Sequence, residues 1–366
     1  MKTIFLVCIF SLFLVSSGCE RKKMTTSPQP EIPPDTTGHD FTWQMDVLGD
    51  GASSRLSDVC IINENDVWAV GEIYLKDSTG EYVNPPYNVA QWNGQNWELK
   101  SIKFRYFYGE LYAKAECIFV FNEKDIVISS GGSVMHWDGQ SWRSLGYLFD
   151  QSTVIGNVYK IWGTSINDFY GIGLQGSIVH YNGTTWQKLE TPLGQDGTNL
   201  DIQDIWGAKD PATGEYTILA VAANIYTSHD REILKISGTR VEKISDEGID
   251  RSLAGVWFDP GKIYYVVGDG IYSRKSLDLA EIWGGPGLLT VTRYFSHAIR
   301  GNHINDVFVV GAFGDVLHYN GNSWRSYREY TALSYGNYCA VAVKGDVIYA
   351  VGSESSRAVV LRGKRR

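Results

Sequence analysis

The sequence predicts an all-β fold made of repeated four-stranded units, and three observations support this prediction. The first is composition: the 366 residues include 12 Trp, 22 Tyr, 14 Phe and 39 Gly. Aromatic residues are enriched in strands, whereas glycine is typical of the tight turns that join them. The second and third observations are two short phrases, one centred on a turn and one on a strand, that recur along most of the chain.

The turn phrase consists of an aromatic residue, Asn or Asp, Gly, two further residues and Trp. Asn-Gly and Asp-Gly between alternating strands are the strongest short hairpin signal, because both turn residues must accept a positive φ. Copies lie at 91–97 (QWNGQNW), 136–142 (HWDGQSW), 180–186 (HYNGTTW) and 318–324 (HYNGNSW), with a degenerate copy at 235–241 (KISGTRV). The tryptophans that end these phrases, which we predict to be structural, are Trp97, Trp142, Trp186 and Trp324.

The strand phrase is an Asp followed by a β-rich run that often ends in Gly. Its copies lie at 66–71, 125–132, 168–173, 306–311 and 346–352, with looser copies at 215–223 and 262–268. A further strand precedes each copy, so each unit contains four strands. Seven units over residues 41–366 average about 47 residues, the length of a propeller blade. Four-stranded units repeated radially predict a seven-bladed β-propeller, with six or eight blades as the alternatives.

The last unit is incomplete. Residues 359–363 (VVLRG) repeat only the first half of the turn phrase, and no Trp strand follows them. Residues 41–48 (FTWQMDVL) precede the first unit and belong to no blade of their own, and Trp43 matches the tryptophans of the four turns. We therefore predict that the N-terminal strand completes the last blade and closes the ring, which protects its sheet edges.

This closure and the repeat resemble those of kelch-like propellers over residues 41–366. Kelch repeats usually carry a Gly-Gly pair after the second strand, and here only the second unit has one, at Gly131-Gly132. The resemblance is therefore to a broad kelch-like class. The turn phrases have Asn or Asp directly before Gly, so they do not match the Asp box of sialidases, and no Gly-His…Trp-Asp pattern of WD40 repeats recurs in the units.

The first 18 residues are predicted to be a signal peptide. Lys2 provides the positive charge at the start, and the apolar run from Ile4 to Val15 is too short to span a bilayer. The sequence SSGC that follows resembles the lipobox of bacterial lipoproteins, in which the cysteine is lipidated. Ser16 stands where Leu or Val is usual, so an ordinary signal peptide cleaved nearby is the alternative.

Lipid attachment is accordingly predicted at Cys19. The polar, proline-rich residues 19–40 contain too few apolar side chains to fold and are predicted to form a disordered tether. The propeller then occupies 41–366. This organisation predicts a monomeric, lipid-anchored protein of the bacterial cell envelope, at the outer membrane or cell surface rather than the inner membrane.

Charge and motifs argue against several functions. The net charge is −8, and the basic clusters lie only near the chain ends, so the sequence does not predict a nucleic-acid surface. No phosphate-binding loop, dinucleotide turn or nucleophile elbow is present, and we expect no cofactor and no catalytic residue that the sequence can identify. Acidic residues are numerous, however, so a pair of catalytic carboxylates of the glycosidase type remains an alternative.

Histidines and cysteines recur in the repeats. His136, His180 and His318 occupy one place in three units, and equivalent positions in separate blades cannot converge on one metal ion. We expect no metal and predict a structural role for these histidines. Three cysteines lie on predicted first strands: Cys60, Cys117 and Cys339. One disulfide is possible in an exported protein, but buried thiols are the preferred interpretation.

One register of the first strands holds three tryptophans. Trp162, Trp206 and Trp257 occupy it in successive units, and smaller or charged residues occupy it in the others: Phe119, Cys60, Arg300 and Ala340. These side chains either line the central channel or wedge between blades. Wedging is the preferred interpretation, because a propeller needs bulky packing between its blades.

The irregular segments indicate where a ligand binds. The first unit carries a long insertion (72–88), and the connections at 104–112 and 327–338 are rich in aromatic residues. All three open on one face of a propeller, and loops on a rigid scaffold commonly carry binding residues. The candidate ligand-binding residues are Tyr82, Tyr87, Tyr106, Phe107, Tyr108, Tyr112, Tyr330 and Tyr335. Packing of these loops onto the disc is the alternative.

The predicted function is therefore binding without catalysis. We expect an envelope-anchored propeller that binds a protein or glycan partner. A propeller glycan hydrolase or lyase and a structural assembly factor of an envelope complex are the alternatives. An acid pair clustered in the channel would favour the enzyme, whereas a broad aromatic surface would favour binding.

Overall fold

The computed structural model describes residues 36–150, 153–154, 158–192, 200–225, 227, 230–278, 280–286 and 290–366. The predicted signal peptide (1–18), the lipid-attachment residue Cys19 and most of the predicted tether lie outside the described residues. Among the described residues, no helix has both the length and the apolar character needed to cross a bilayer.

Seven antiparallel sheets form the blades, which confirms the predicted seven-bladed propeller. The first strand of the chain, β1 (Phe41–Leu48), belongs to the last blade. Blade 1 contains β2 (Arg55–Asn63), β3 (Asp66–Ile73), β4 (Tyr87–Trp92) and β5 (Trp97–Lys100). A separate hairpin follows, formed by β6 (Lys103–Tyr106) and β7 (Gly109–Tyr112). Blade 2 contains β8 (Cys117–Asn122), β9 (Asp125–Ser130), β10 (Ser133–Trp137) and β11 (Trp142–Tyr147).

The remaining blades continue in chain order. A short hairpin, β12 (Phe149–Asp150) and β13 (Thr153–Val154), precedes blade 3, which contains β14 (Val158–Ser165), β15 (Asp168–Gly173), β16 (Ile178–Tyr181) and β17 (Trp186–Lys188). Blade 4 contains β18 (Ile202–Lys209), β19 (Tyr216–Ala223), β20 (Arg231–Ser237) and β21 (Arg240–Ile244). Blade 5 contains β22 (Leu253–Asp259), β23 (Ile263–Gly268) and β24 (Gly270–Arg274). Blade 6 contains β25 (Ser296–His303), β26 (Asp306–Gly311), β27 (Val316–Tyr319) and β28 (Trp324–Ser326).

Blade 7 is completed by the N-terminal strand, as predicted. After the short helix α1 (Arg328–Thr331) it contains β29 (Gly336–Lys344), β30 (Val347–Glu354) and β31 (Arg357–Arg365), and β1 is its outer strand. Blade 5 differs from the four-stranded pattern, since three of its strands lie in the described part of the chain. There Gly284 forms a bridge with Ser273, on the side of β24 where a fourth strand would pair.

Trp43 and Gly363 face each other where the ring closes. β1 pairs antiparallel with β31 from Phe41 opposite Arg365 to Leu48 opposite Ala358. In the other blades the Trp of the turn phrase opposes an aromatic residue, for example Trp97 opposite Trp92. Gly363 takes that aromatic place rather than the place of the turn glycine, because a side chain there would collide with the ring of Trp43.

A buried aspartate ties the first three blades together. Asp58 on β2 accepts a hydrogen bond from the backbone N–H of Ile118 in blade 2 at 3.2 Å. It also accepts one from Lys160 Nζ in blade 3 at 2.7 Å. Burying a carboxylate is costly unless charge and hydrogen bonds compensate it, and here both are supplied by the two following blades. We call this set of contacts the Asp58 staple.

A second aspartate repeats this arrangement in the next three blades. Asp204 on β18 accepts a hydrogen bond from the backbone N–H of Val256 in blade 5 at 3.0 Å. Both terminal nitrogens of Arg300 in blade 6 lie 2.8 Å from the carboxylate oxygens, which is the strong two-point geometry of an arginine–carboxylate pair. We call this set the Asp204 staple.

The recurring histidines bind the aspartate of the strand phrase in their own blade. His136 lies 2.8 Å from Asp125, and His180 lies 2.7 Å from Asp168. Gln91 donates the equivalent bond to Asp66 in blade 1. The predicted structural role of the histidines is confirmed. Each holds the aspartate that begins the second strand of its blade, rather than only a turn.

The tryptophans of the channel register divide between the two interpretations. The ring of Trp162 packs on Gly207 of the next blade and that of Trp257 on Gly301, so both are wedges. Trp206 is partly exposed and lines the channel, which Trp162 also borders. The assignment of Ala340 to this register was wrong: Ala340 opposes Val351, whereas Ala342 opposes Tyr349 and takes the tryptophan's place. The last strand phrase has one extra residue after its Asp, which shifts the register.

The three remaining cysteines are free thiols, which favours the interpretation that they are buried structural residues. Cys60 and Cys339 donate to backbone carbonyl oxygens of the neighbouring blade, Ile118 O at 3.3 Å and Leu56 O at 3.1 Å. Burial, assisted by the charge of Asp58, raises the pKa of Cys60 to about 12. The thiol is therefore protonated at neutral pH, and thiols react chiefly as thiolates.

Residues 36–40, predicted as the end of the tether, lie against blade 6. Thr37 exchanges backbone and side-chain hydrogen bonds with Asn320 at 3.3 and 3.2 Å. The imidazole of His39 lies 2.9 Å from that of His318, measured between the Nδ1 atoms. The other side of His318 binds Asp306 at 3.0 Å, and Arg365 also contacts this carboxylate.

The ring closure yields the first prediction. Trp43→Ala should lower the free energy of unfolding by about 3 kcal/mol, the lower end of the range for buried aromatic side chains, because Trp43 is only partly buried. Val47→Ala on the same strand is the control, because Val47 is 44% exposed, and it should change stability little. Urea unfolding measures both. Equal effects of the two substitutions would contradict the closure argument.

The His39–His318 contact yields a pH prediction. Burial and then the nearby His318, Arg325 and Arg365 lower the pKa of His39 to about 4, and burial lowers the pKa of His318. The unfolded histidines have pKa values near 6.5, so between pH 6.5 and 4 the unfolded chain binds more protons. Stability should therefore fall as the pH falls through this interval.

The variant His39→Gln should make this fall in stability shallower, because it removes one histidine whose pKa is lowered in the folded protein. His303→Gln is the control, because His303 is exposed on the same blade. Melting temperature between pH 4 and 7.5 measures the effect. A slope unchanged by His39→Gln, or flattened equally by His303→Gln, would contradict the assignment.

Candidate functional site

The two faces of the disc differ in their connections. In each antiparallel blade, the connection between the second and third strands lies on the same face as the connection to the next blade. We call this the upper face; among others it carries residues 74–86, 101–116, 312–315 and 327–335. The lower face carries the other turns, among them 304–305 and 320–323.

Most of the large apolar side chains that are exposed in the described residues lie in the connections of the upper face. These are Tyr82, Phe107, Tyr108, Leu111, Tyr112, Phe149, Ile225, Phe313, Tyr330 and Tyr335. The exceptions are Met45 and Val47 on β1, Tyr216 and Ile304 on the lower face, and Ile282 between β24 and the bridge at Gly284. Single exposed apolar residues need no explanation, but their concentration on one face makes that face the candidate interaction surface.

The hairpin of β6 and β7 is the main feature of this face. We call residues 103–112 the arm. At its tip the side chain of Phe107 is 75% exposed and that of Tyr108 is 92% exposed. Their rings contact each other at a centroid distance of 5.1 Å and an angle of 87°. The tip therefore presents two large apolar side chains that the propeller does not use for its own packing.

The base of the arm is fixed by Asn88, a buried residue on β4. Its side-chain amide donates to the carbonyl oxygens of Ile102 and Ala113, both at 2.8 Å, and its oxygen accepts from the N–H of Ile102, also at 2.8 Å. Phe104 of β6 is fully buried beside this clamp. The arm is thus held at both of its ends by one side chain and anchored in the core by another.

Aromatic contacts continue from the arm onto blade 2. The hydroxyl of Tyr106 lies 2.8 Å from Ser130 Oγ, and its ring meets Tyr147 at 5.5 Å. Tyr147 in turn meets Phe149 at 5.4 Å, and the ring of Phe149 covers Gly132. Burial raises the pKa of Tyr106, which is consistent with its anchoring position. These contacts pack the arm against blade 2.

A second aromatic group lies on blade 6 and its connection to blade 7. Tyr294 contacts Phe313 at 5.7 Å, and the guanidinium of Arg328 lies 4.3 Å from the centre of the Tyr294 ring. Tyr335 is 83% exposed, and its backbone N–H donates to Glu354. Tyr330, on α1, borders the groove beside Trp43.

The structure brings four of the eight predicted ligand-binding residues together on the arm: Tyr106, Phe107, Tyr108 and Tyr112. Tyr106 anchors the arm, and Tyr87 packs against the core at the start of β4, so both lie beneath the surface rather than on it. Tyr82 lies on the insertion, with Lys76 Nζ 5.3 Å from its ring centre. Tyr330 and Tyr335 belong to the second group.

Sequence reasoning did not identify Leu111, Phe149 or Phe313 as exposed members of this face. Leu111 stands in the alternating run that forms β7, which was a usable signal. Phe313 has a φ of 56° in a tight turn, and nothing in the repeat distinguishes that turn. The clamp residue Asn88 was also missed, because its partners are 14 and 25 residues away.

The central channel contains a cavity of about 360 Å³. Both staples face it, together with Phe119, Trp162 and Trp206. Burial lowers the pKa of Lys160, but attraction by Asp58 and Asp204 outweighs it, so the pKa lies above its usual value. Each channel carboxylate is therefore paired with a permanent cation. This pairing does not resemble the free acid and base of a glycosidase.

Other titratable groups of the channel do not form a metal site. Burial lowers the pKa of His297 to about 4, so its imidazole is neutral at pH 7. Within the described residues, no three side chains of His, Cys, Asp or Glu lie close enough together to hold a metal ion.

Comparison with known proteins gives a likeness of fold. No family model matches the chain, and no curated protein matches its sequence. Among solved structures, YCF48 bound to a D1 peptide matches with a TM-score of 0.63 at 16% identity, over 93% of this chain and 100% of that chain. YCF48 from Cyanidioschyzon merolae matches with 0.59 at 13% identity, over 87% and 98%. The WD40 β-propeller domain of Doa1 matches with 0.56 at 11% identity, over 88% and 97%.

Replacing the clamp residue should loosen the arm. Asn88→Ala leaves two carbonyl oxygens and one N–H without their partner, and a buried unpaired polar group costs about 1–3 kcal/mol. We expect faster amide exchange over residues 103–112 and little change in the distant blades. Asn93→Ala, in an exposed turn of the same blade, is the control. Unchanged exchange in the arm of Asn88→Ala would contradict the clamp.

Proposed function

We propose that this protein is a lipid-anchored envelope protein whose propeller binds a protein partner through its upper face. The observation that carries the proposal is the arm: a hairpin fixed at its base, with two apolar side chains at its tip that pack on nothing else in the propeller. Rigid aromatic side chains supply contact area with little loss of conformational entropy. A partner supplies the packing that these side chains lack.

The geometry of the tip favours a protein over a glycan. The rings of Phe107 and Tyr108 are nearly perpendicular, so they do not form the flat pair of faces on which sugar rings stack. Leu111 adds an aliphatic side chain to the same region. YCF48, a propeller of similar fold, has been solved with a D1 peptide, which supports a peptide or protein ligand for this shape.

The anchoring part of the proposal rests on the sequence. SSGC at 16–19 supports lipidation of Cys19, and the polar residues that follow support a tether. Thr37 and His39 contact the lower face, so the chain enters the propeller opposite the arm. An anchor at Cys19 thus leaves the upper face free for a partner.

A hydrolase or lyase fits the channel less well. The carboxylates of Asp58 and Asp204 are both held by cations and by backbone N–H groups. Neither has the free oxygen atoms of a general base. A role as an assembly factor of an envelope complex uses the same upper face and is a form of the proposed function.

The proposal is tested in cells with a photo-crosslinking amino acid at position 108. We expect a protein adduct there and none at position 216, an exposed lower-face tyrosine that serves as the control. Adduct formation should fall when Phe107 is replaced by Ala in the same chain. Equal adducts at both positions, or none at 108, would overturn the proposal.

Anchoring is tested separately by fractionation. The wild-type chain should fractionate with membranes, and Cys19→Ser should release it into the soluble fraction. Cys339→Ser, which changes a partly buried free thiol of the propeller, is the control and should leave the fractionation unchanged. A wild-type protein found wholly in the soluble fraction would refute the lipid anchor.

A further inference from the structure

We propose that β7 is an open docking edge, to which an extended segment of the partner protein adds as a third strand of the arm. This inference rests on the proposed function and specifies how the upper face holds its partner. The segment that occupies the edge is extended, and its apolar residues alternate with other residues, some of which are acidic.

Within the described part of the chain, one edge of β7 has no strand partner. β7 pairs with β6 on one side, and no other strand of the described residues pairs with it on the other. Three of its four residues are exposed. A free edge offers backbone N–H and C=O groups to any extended chain, and proteins usually protect it with lysine, proline or a bulge. Residues 109–112 (GELY) contain no lysine or proline, and their register with β6 has no bulge. Their one charged side chain, Glu110, lies opposite Arg105 of β6, so its charge is balanced within the arm.

The arm presents this edge in a fixed conformation. Asn88 holds both ends of the hairpin, and Tyr106 fixes β6 to blade 2 through Ser130. The tight turn at Phe107 and Tyr108 ends at Gly109, whose φ of 127° suits glycine. A preorganised edge loses little conformational entropy when a strand adds to it, so more of the interaction energy appears as affinity.

The side chains of β7 define what the added strand must carry. Leu111 and Tyr112 point to opposite faces of the arm, because successive side chains of a strand alternate. Leu111 is 54% exposed, so the added strand needs an apolar residue on that face. On the other face Lys103 Nζ lies 5.4 Å from the ring centre of Tyr112. That ammonium lies beside the edge-strand residue Tyr112, where it attracts a carboxylate of the partner.

This mode of recognition has a distinct signature. In strand addition the main chain supplies the affinity and alternate side chains supply the specificity. Methylating the backbone nitrogens that face β7 therefore removes binding, whereas methylating the intervening nitrogens, which face away, leaves it. Binding by side chains alone gives no such alternation.

The experiment selects peptides from a random nonapeptide display library on the immobilised full chain. We expect selected peptides in which apolar and acidic residues alternate. N-methylation of the alternate amides that face β7 should weaken their binding at least tenfold, whereas N-methylation of the intervening amides should not. Tyr112→Ala should weaken the same peptides at least tenfold. Tyr216→Ala is the matched control: Tyr216 is 47% exposed against 42% for Tyr112, and Lys209 Nζ lies 6.0 Å from its ring centre.

Three results would overturn the inference. Peptides that depend on Tyr108 or Tyr335 but tolerate N-methylation in both phases would leave the proposed function standing and remove the docking edge. A library that yields no peptide sensitive to Tyr112→Ala would also remove it. A dimer of the full chain in sedimentation, lost in Tyr112→Ala, would assign the edge to a second copy of this chain instead of a partner protein.

Discussion

The pairing of β1 with β31 is the contact on which the rest of the structure depends. Each blade packs on two neighbours, so a ring with one unfinished blade exposes an edge and loosens the wedge on either side of it. The closure joins residues 41–48 to 358–365, the two ends of the propeller in sequence. Trp43 fills the gap that Gly363 leaves, and Phe41 packs against Phe308 of blade 6. One strand therefore completes a sheet and seals the junction between blades 6 and 7.

The two staples explain how the inner strands keep their order around the channel. Each aspartate binds a backbone N–H one blade away and a cation two blades away, so blades 1 to 3 and 4 to 6 form two linked groups. A carboxylate buried without partners would cost several kcal/mol, and this arrangement meets the cost with charge and hydrogen bonds together. Blade 7 has Ala340 at the corresponding place and takes part in neither staple. It is the blade that β1 joins, so covalent continuity at both ends of the ring replaces the missing ion pair.

The repeat made most of the fold predictable, and the failures have physical causes. The residue types of Asn-Gly and Asp-Gly turns indicate the backbone conformation of the turn. Strand order, blade number and closure therefore follow from local sequence. The arm has no such turn: Phe107 and Tyr108 occupy it, and Gly109 comes one place later. The staples join residues 96 and 102 positions apart, at places where the other blades carry uncharged residues, and no periodicity marks them. For the candidate site, the sequence predicted only a face of the propeller. Which aromatic residues support it and which are exposed depends on Asn88 and Ser130, whose contacts are not local.

In the proposed function, the two faces of the propeller have different tasks. The lower face holds the Asp–His contacts and the residues through which the chain enters, where His39 meets His318 and Arg365 meets Asp306. These groups are needed for the ring, so that face has little freedom to vary. The upper face carries the long connections, which lie outside the blade sheets. The arm is one of the connections that buried polar contacts hold in place, through Asn88. The connection at 327–335 is another, through Thr331. Rigidity at a place where the fold does not require it is the strongest physical argument that the arm serves binding, since a fixed surface loses less entropy when a partner docks.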